Sequence, residues 1–303
     1  MRLPSKRVTG LDAYRHLLAI FVITIHTWSA SRYGPDLREG YDNILQVTGC
    51  AVFGFFLVSG FLFKPEASLK EIAARKASRL LVPYLLFSLA YAVVSGVVFG
   101  SGEFLNRIIN TVLLRGGAMQ LYFLPELYVI ELLALFAFKL FGSRTSVAAS
   151  TILIVALFAT LATPTPYTTG PGWKLAIFYV VGFVTGVLCR RTSDATPAIL
   201  LVLFLLVGAL VDYRFAVAAV ALVLFQLFIR TTRLVPTSLP GSGAVYLLHT
   251  PILNFSISVA LSNFGFQGWS NYWMTVLLTY LVCIAVFAAL SRYAPSTQKY
   301  LLE

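Results

Sequence analysis

The feature that most constrains this chain is its series of apolar segments, each about twenty residues long and separated by short polar connections. A helix needs about twenty apolar residues to cross the hydrocarbon core of a bilayer. The composition agrees, because 58% of the 303 residues are hydrophobic, only 12% are charged, and the mean hydropathy is +0.83. These values exclude a disordered chain and a soluble coiled coil, and they predict an integral membrane protein.

Proline, glycine and charge clusters divide the chain into ten such segments. We therefore predict an all-α polytopic membrane protein with about ten transmembrane helices, organised as one integral membrane domain over residues 1–303, because we find no long polar linker and no internal repeat. The ten segments are Leu11–Ser31, Ile44–Phe63, Leu80–Phe99, Leu121–Phe141, Ser146–Ala162, Trp173–Cys189, Thr196–Val211, Phe215–Ile229, Gly243–Leu261 and Tyr272–Leu290.

Positive charges are distributed unevenly between alternate connections, and this predicts the orientation of the chain. Cytoplasmic connections of membrane proteins accumulate Lys and Arg. With the amino terminus inside, sixteen of the 23 Lys and Arg residues lie on the cytoplasmic side, six lie on the opposite side, and Arg15 lies within the first segment. We therefore expect cytoplasmic termini in a multi-pass protein of the inner (cytoplasmic) membrane. The formal net charge of +11 arises from these clusters, so we expect no nucleic-acid partner.

The three cysteines give no indication of a metal or redox site. Cys50, Cys189 and Cys283 lie far apart, in or beside apolar segments. This spacing provides neither a disulfide framework nor a C-x-x-C motif. We interpret them as small core residues and expect no metal cofactor.

Two ionisable side chains share one face of the first segment. Arg15 and His26 are eleven positions apart, which in a helix is three turns plus about 20°, or about 16 Å along the axis. Ionisable groups inside a membrane segment are costly and commonly mark a functional site. The alternative interpretation is that Arg15 reaches the inner headgroups and His26 donates one buried hydrogen bond.

Five short motifs occur in order along the chain. The first is Arg15, ten residues and then His26, in a segment that opens with Leu-Asp-Ala-Tyr-Arg. The others are Phe55–Leu62 with an aromatic pair and Ser-Gly-Phe-Leu, Arg79–Tyr84, Tyr122–Pro125, and Tyr246–Pro251 with Tyr-Leu-Leu-His-Thr-Pro. This set resembles the membrane-bound acyltransferase-3 family, although Tyr122 stands where the family usually has Trp. Members of that family move acyl groups onto glycans and other acceptors.

The resemblance implies a membrane O-acyltransferase that takes an acyl group, most simply acetyl, from cytoplasmic acyl-CoA and delivers it to a hydroxyl of a glycan or glycolipid. In that interpretation His26 is the general base for the acceptor proton, and Arg15 orients or holds the donor. A transporter or flippase for a glycan or lipid is the alternative class, because it would also need rare charges along a transmembrane path. A non-catalytic partner of polysaccharide export is a third.

The connection between the second and third segments is strongly basic. It carries Lys64, Lys70, Arg75, Lys76 and Arg79 on the predicted cytoplasmic side. The phosphates of acyl-CoA need several cations, and Arg binds phosphate oxygens in bidentate geometry. Arg75, Lys76 and Arg79 are therefore candidate donor-binding residues, although the positive-inside tendency alone would also produce such a cluster.

Two further residues are candidates for the donor site. Ser59 could act as a nucleophile or contribute to the donor site, but a Ser followed by Gly in a membrane helix is more often a close-packing pair. His249 stands two positions before Pro251. It could bond a carbonyl freed by the break in the helix, or belong to the path of the acyl carrier.

Glu126 is the candidate partner of His26, because the topology brings both residues to about the same depth below the outer surface. A catalytic imidazole needs an acceptor that fixes its tautomer, and a buried carboxylate needs a donor. We therefore expect the two side chains within hydrogen-bonding reach or one water apart, in a cavity open to the outer leaflet. Alternatively, Glu126 meets headgroups or caps a helix start.

Overall fold

We describe the protein from a computed structural model. The structure describes residues 9–28, 33, 37–64, 68–118, 120–142, 144–161, 173–192, 195–230 and 240–296. Over these ranges the chain is helical and contains no strand, which confirms the all-α class. The predicted cytoplasmic termini, residues 1–8 and 297–303, lie outside the described residues.

The helices follow the predicted apolar segments. Within the described residues, each of the ten segments overlaps one helix or a run of consecutive helical elements. The helices are α1 Thr9–Thr27, α2 Arg38–Thr48, α3 Cys50–Leu62, α4 Leu69–Lys76, α5 Val82–Phe99, α6 Ser101–Val112, α7 Phe123–Phe141, α8 Thr145–Leu161, α9 Trp173–Arg191, α10 Thr196–Leu210, α11 Arg214–Arg230, α12 Ser242–Leu248, α13 Asn254–Asn263 and α14 Gly268–Tyr293, with π-helical turns at Ala77–Leu81 and His249–Leu253.

Several of these helices have the length and composition of membrane spans. Among the described residues, three helices are long and apolar enough to cross a membrane, namely Arg38–Leu62 with 25 residues, Leu69–Phe99 with 31 and Gly268–Tyr293 with 26. Large apolar side chains are also exposed along them, as a lipid-facing surface requires; Val97 is 82% exposed and Phe99 is 72% exposed. The count of ten spans and their orientation stay predictions.

The chain divides into two compact units. Unit 1 consists of Met1–Val22, Asp42–Ala67 and Ile130–Leu239, and unit 2 of Ile23–Tyr41, Ser68–Val129 and Pro240–Glu303. Each unit therefore combines segments that are distant in sequence. The single integral membrane domain over residues 1–303 stays a prediction.

In unit 1, helices α3 and α9 cross at glycines. A Cβ atom at Gly60 would lie well inside van der Waals contact with the carbonyl oxygen of Phe183, and one at Gly186 would do the same with Leu57. Small residues at such positions let two backbones approach closely, which is a common way for helices to associate in membranes. Gly60 therefore lies at a close helix crossing, whereas the role of Ser59 stays a prediction.

Two polar side chains of unit 1 hold its helices through backbone carbonyls. The hydroxyl of Tyr14, a fully buried residue of α1, donates to the carbonyl of Ala221 in α11 over 2.9 Å. Nη1 of Arg190 donates to the carbonyls of Phe61 and Phe63 at 3.2 and 3.1 Å. A helix leaves its last carbonyls without intrahelical partners, so Arg190 caps the carboxyl end of α3.

In unit 2, the basic connection is helical from Leu69 onward. The side chain of Ser68 accepts a hydrogen bond of 3.1 Å from the backbone N–H of Glu71, an N-cap arrangement that starts α4. Pro83 cannot donate to the carbonyl four positions earlier, and the helix passes through the π-helical turn Ala77–Leu81 just before it. Lys70, Arg75, Lys76 and Arg79 therefore lie on a helical stretch that leads into α5.

The sequence-based segments miss helix α6, which lies in a predicted outer connection. The hydroxyl of Tyr84 in α5 donates to the carbonyl of Thr111 near the end of α6 over 2.7 Å. The same hydroxyl accepts from the backbone N–H of Gly116 at 3.2 Å, and Oγ of Ser88 accepts from Gly117 at 3.1 Å. Side chains of α5 thus fix the chain on its way to α7.

Candidate active site

The candidate site in unit 2 contains a pair of imidazoles. Nδ1 of His26 lies 2.9 Å from Nε2 of His249. The ring centroids are 5.2 Å apart, and the planes are inclined by only 17°. His249 is fully buried and His26 is half-buried. The structure therefore brings together His26 of the first predicted segment and His249 of the ninth, a pairing that the sequence reasoning did not predict.

The carboxyl end of α1, which carries His26, is held by side chains from three other helices. The last carbonyls of a helix have no intrahelical donors, so other groups must satisfy them. Here the carbonyls of Thr24, Ile25 and His26 accept hydrogen bonds of 2.8, 2.9 and 3.0 Å. The donors are the hydroxyl of Tyr272, the hydroxyl of Tyr41 and Nδ2 of Asn254, respectively. Because the backbone is fixed at three consecutive carbonyls, the direction of the His26 side chain is constrained.

The helix that carries His249 is interrupted directly after it. Thr250 has an extended backbone, with φ −138° and ψ 158°. Pro251 has no N–H, so the carbonyl of Leu247 cannot receive the bond that a continuous helix would supply. The hydroxyl of Tyr91 donates to that carbonyl instead, over 2.7 Å. The break in the helix is thus compensated by α5.

His249 is held by carbonyls of its own helix. Nδ1 of His249 lies 3.0 Å from the carbonyl oxygens of both Val245 and Tyr246. His249 keeps helical dihedral angles, and the carbonyl of Val245 also accepts from its backbone N–H, so both carbonyls belong to the last turn before the extended Thr250. The ring of His249 thus bonds to backbone carbonyls, and its place in the path of the acyl carrier stays a prediction.

Gln120 lies beside the residue that follows His249, Glu126 lies near Tyr246, and each has a buried oxygen without a partner among the described residues. Nε2 of Gln120 donates to the backbone carbonyl of Thr250 over 2.7 Å. The hydroxyl of Tyr246 donates to the backbone carbonyl of Gln120. The carboxyl of Glu126 interacts electrostatically with Tyr246, whose ring lies 6.3 Å from that of His249. Within the described part of the chain, Oε1 of Gln120 and Oε2 of Glu126 have no hydrogen-bond partner.

The described residues show no direct hydrogen bond between His26 and Glu126. Nδ1 of His26 is occupied by His249, and Oε2 of Glu126 finds no donor among the described residues. The expected contact, within hydrogen-bonding reach or one water apart, stays a prediction, and so does a catalytic contribution of Glu126.

The predicted donor-binding residues lie on the surface or at its edge. Arg75 and Arg79 are exposed, and Lys76 is half-buried. Nη1 of Arg75 lies 3.7 Å from Oε1 of Glu71, an ion pair within one helix between side chains that are 48% and 61% exposed. Exposed pairs of this kind are worth little, so Arg75 can exchange Glu71 for another anion at small cost.

Arg15 and Ser59 are half-buried residues of unit 1. Arg15 lies on α1 and Ser59 lies on α3, one position before the glycine crossing. Their predicted roles toward the donor stay predictions. In the ranges that the structure describes, no group of three or more His, Cys, Asp and Glu side chains is arranged to hold a metal ion.

The fold and the site define a helical membrane protein with a pair of histidines, one buried and one half-buried. A family model described as an acyltransferase domain matches residues 8–292, nearly the whole chain. The protein therefore belongs to the acyltransferase-3 family, and it is a membrane acyltransferase that moves acyl groups other than aminoacyl groups. Among curated proteins and solved structures, none matches this chain.

Proposed function

We propose that the protein is an O-acyltransferase of the inner (cytoplasmic) membrane, which transfers an acyl group, most simply acetyl, from cytoplasmic acyl-CoA to a hydroxyl of a glycan or glycolipid. The observation that carries this proposal is the hydrogen-bonded pair of His26 and His249 in a chain of an acyltransferase family. An imidazole held by a second group is a common arrangement for a general base.

The reaction needs a base because a hydroxyl is a weak nucleophile. In direct transfer, His26 takes the hydroxyl proton while the oxygen bonds to the thioester carbonyl carbon. The carbon–sulfur bond then breaks, and the CoA sulfur leaves with a proton returned by the imidazolium. The products are the acyl ester and free CoA, so the proton balance closes on His26. Arg15, on the same helix, orients the donor through its planar guanidinium.

The unpartnered oxygens of Gln120 and Glu126 support a hydroxyl-bearing acceptor. Gln120 is only 1% exposed, and leaving a buried acceptor without a donor costs about 1–3 kcal/mol. A sugar carries several hydroxyls that can donate to such oxygens. Binding of the acceptor would therefore satisfy Oε1 of Gln120 and Oε2 of Glu126, which a purely apolar substrate cannot do.

The function is tested by incubating purified protein in lipid vesicles with acetyl-CoA labelled in the acetyl group and a panel of candidate glycans and glycolipids. We expect the label to appear in ester linkage on the acceptor and free CoA to form in equal amount. Release of CoA without labelled acceptor would point to hydrolysis. Movement of unlabelled glycan across the vesicle membrane, without transfer, would support the transporter class instead.

Donor binding is tested by the double variant Arg75→Ala/Arg79→Ala. Both guanidinium groups are exposed on the helix leading into α5, where they can contact the phosphates of acyl-CoA. We expect the half-saturating concentration of acyl-CoA to rise about tenfold or more, with a smaller change in kcat, because phosphate contacts bind the donor without taking part in bond formation.

The matched control for that variant is Lys139→Ala/Arg144→Ala. It removes two exposed cations from another predicted cytoplasmic connection, at the end of α7. An equal rise in half-saturation in both double variants would mean that general positive charge attracts the donor. If the half-saturating acyl-CoA concentration rises in neither double variant, Arg75 and Arg79 contribute to membrane topology and not to donor binding.

A further inference from the structure

The hydrogen on the ring of His249 can be assigned from its partners. Nδ1 of His249 lies 3.0 Å from two backbone carbonyl oxygens, those of Val245 and Tyr246. A carbonyl oxygen only accepts, so Nδ1 must carry the hydrogen and donate it. In a neutral imidazole the other nitrogen is then an acceptor. Nε2 of His249 therefore presents a lone pair.

The tautomer of His249 determines the tautomer of His26. Nδ1 of His26 lies 2.9 Å from Nε2 of His249, and two lone pairs do not form a hydrogen bond. Nδ1 of His26 must therefore carry a hydrogen and donate to His249. The remaining nitrogen of His26, Nε2, is left without a hydrogen in the neutral ring. It is the nitrogen that can accept a proton.

We propose that His249 is a positioning residue that selects the tautomer of His26, so that Nε2 of His26 is the basic nitrogen facing the acceptor hydroxyl. This inference rests on the proposed function for the identity of the proton donor, while the tautomer itself follows from the contacts. His249 does not touch the reacting atoms in this scheme. It acts through one hydrogen bond.

The backbone around His249 holds the ring in place. His249 is the last helical residue before the extended Thr250, and its Nδ1 lies 3.0 Å from the Tyr246 carbonyl of the preceding turn. The imidazole is consequently anchored at one nitrogen, and its other nitrogen points to His26. Burial excludes water from competing for these bonds, since His249 is fully buried.

Two substitutions of His249 separate this role from simple packing. A Gln amide can place an acceptor oxygen near the position of Nε2, whereas an Asn amide reaches only the position of Nδ1. His249→Gln therefore keeps an acceptor for His26, and His249→Asn keeps a donor for the Tyr246 carbonyl. If His249 selects the tautomer, the Gln variant retains more activity than the Asn variant. If His249 only satisfies carbonyls, the order is reversed.

The tautomer can be observed directly, without any substrate. The chain has only three histidines, His16, His26 and His249, so ¹⁵N labelling of histidine gives three ring systems that single His→Gln variants assign. The measurement uses the full chain in lipid bilayers. We expect Nδ1 of both His26 and His249 to be protonated and Nε2 of both to be unprotonated. In His249→Asn we expect the ring of His26 to lose this pattern, and in His249→Gln to keep it.

The kinetic result expected for His249→Asn is a fall in kcat of about tenfold or more, with the half-saturating acyl-CoA concentration changed less than about threefold. A His26 ring protonated at Nε2 in the unmodified protein would overturn the inference, and so would an unchanged His26 tautomer in His249→Asn. If the tautomer follows the expected pattern but the unmodified protein transfers no acyl group, the proposed function fails while the role of His249 in fixing the ring stands.

Discussion

Replacing His26 with Gln is expected to lower the rate of acyl transfer about 10²- to 10⁴-fold, the usual contribution of a general base. A carboxamide has no basic nitrogen and cannot take the proton of an acceptor hydroxyl. The Gln amide reaches the position of Nε2 of the ring rather than that of Nδ1, so this variant also loses the hydrogen bond to Nε2 of His249, and His249→Asn measures the effect of losing that bond without losing the base. The measurement is the single-turnover rate of labelled acyl transfer, normalised to folded protein.

His16→Gln is the matched control for this variant. His16 lies on the same helix ten positions earlier and is buried, whereas His26 is half-buried. We expect it to retain transfer activity within about threefold of the unmodified protein once the folded fraction is taken into account. Similar rates for His26→Gln and the unmodified protein would exclude His26 as the base. An equal loss in both histidine variants would attribute the effect to α1 as a whole.

Replacing Gly60 with Ala is expected to destabilise the protein by about 3 kcal/mol, because it introduces a methyl group where α3 and α9 touch. The clash is with the carbonyl oxygen of Phe183, a backbone atom that can move only if the whole of α9 moves. Gly186 faces Leu57 in the same way, so a shift that relieves one glycine position disturbs the other. Thermal unfolding in detergent or bilayers, together with the yield of folded protein, measures the effect.

Gly102→Ala is the matched control for the glycine crossing. Gly102 lies in α6, and an added Cβ there would meet no atom within 4 Å. In this open position we expect no loss, or a gain of up to about 1 kcal/mol, since Ala restricts the unfolded chain and favours the helix. Wild-type stability of Gly60→Ala would mean that the two helices are not as closely packed as the structure has them.

The sequence by itself determined the helical elements and the class of protein. Apolar segments of about twenty residues are read directly from composition along the chain, and within the described residues each of the ten overlaps one helix or a run of consecutive helical elements. The motifs around Arg15, Phe55, Tyr122 and Tyr246 indicated the family that the match over residues 8–292 established. The sequence analysis missed the amphipathic helix α6, because hydropathy detects long apolar segments and does not detect a short helix with one polar face.

Only the tertiary structure decided how the site is assembled. The pairing of His26 with His249 joins residues 223 positions apart, and helical periodicity reports which face is buried but not which helix packs against it. The His-Thr-Pro sequence did signal a broken helix, yet the partners of the His249 ring, two carbonyls of its own helix and the ring of His26, appear only in the folded structure.

The choice between Glu126 and His249 as the partner of His26 shows the same limit. Glu126 was a reasonable expectation because the predicted topology places it at the same depth in the membrane as His26. Depth alone does not fix the position of a side chain within the plane of the membrane. A hydrogen bond requires heavy atoms within about 3 Å, and the side chains of Tyr41, Asn254 and Tyr272 fix the end of α1 so that His249 meets this condition. The sequence identifies the ionisable residues, and the folded backbone determines which of them lie within hydrogen-bonding distance of each other.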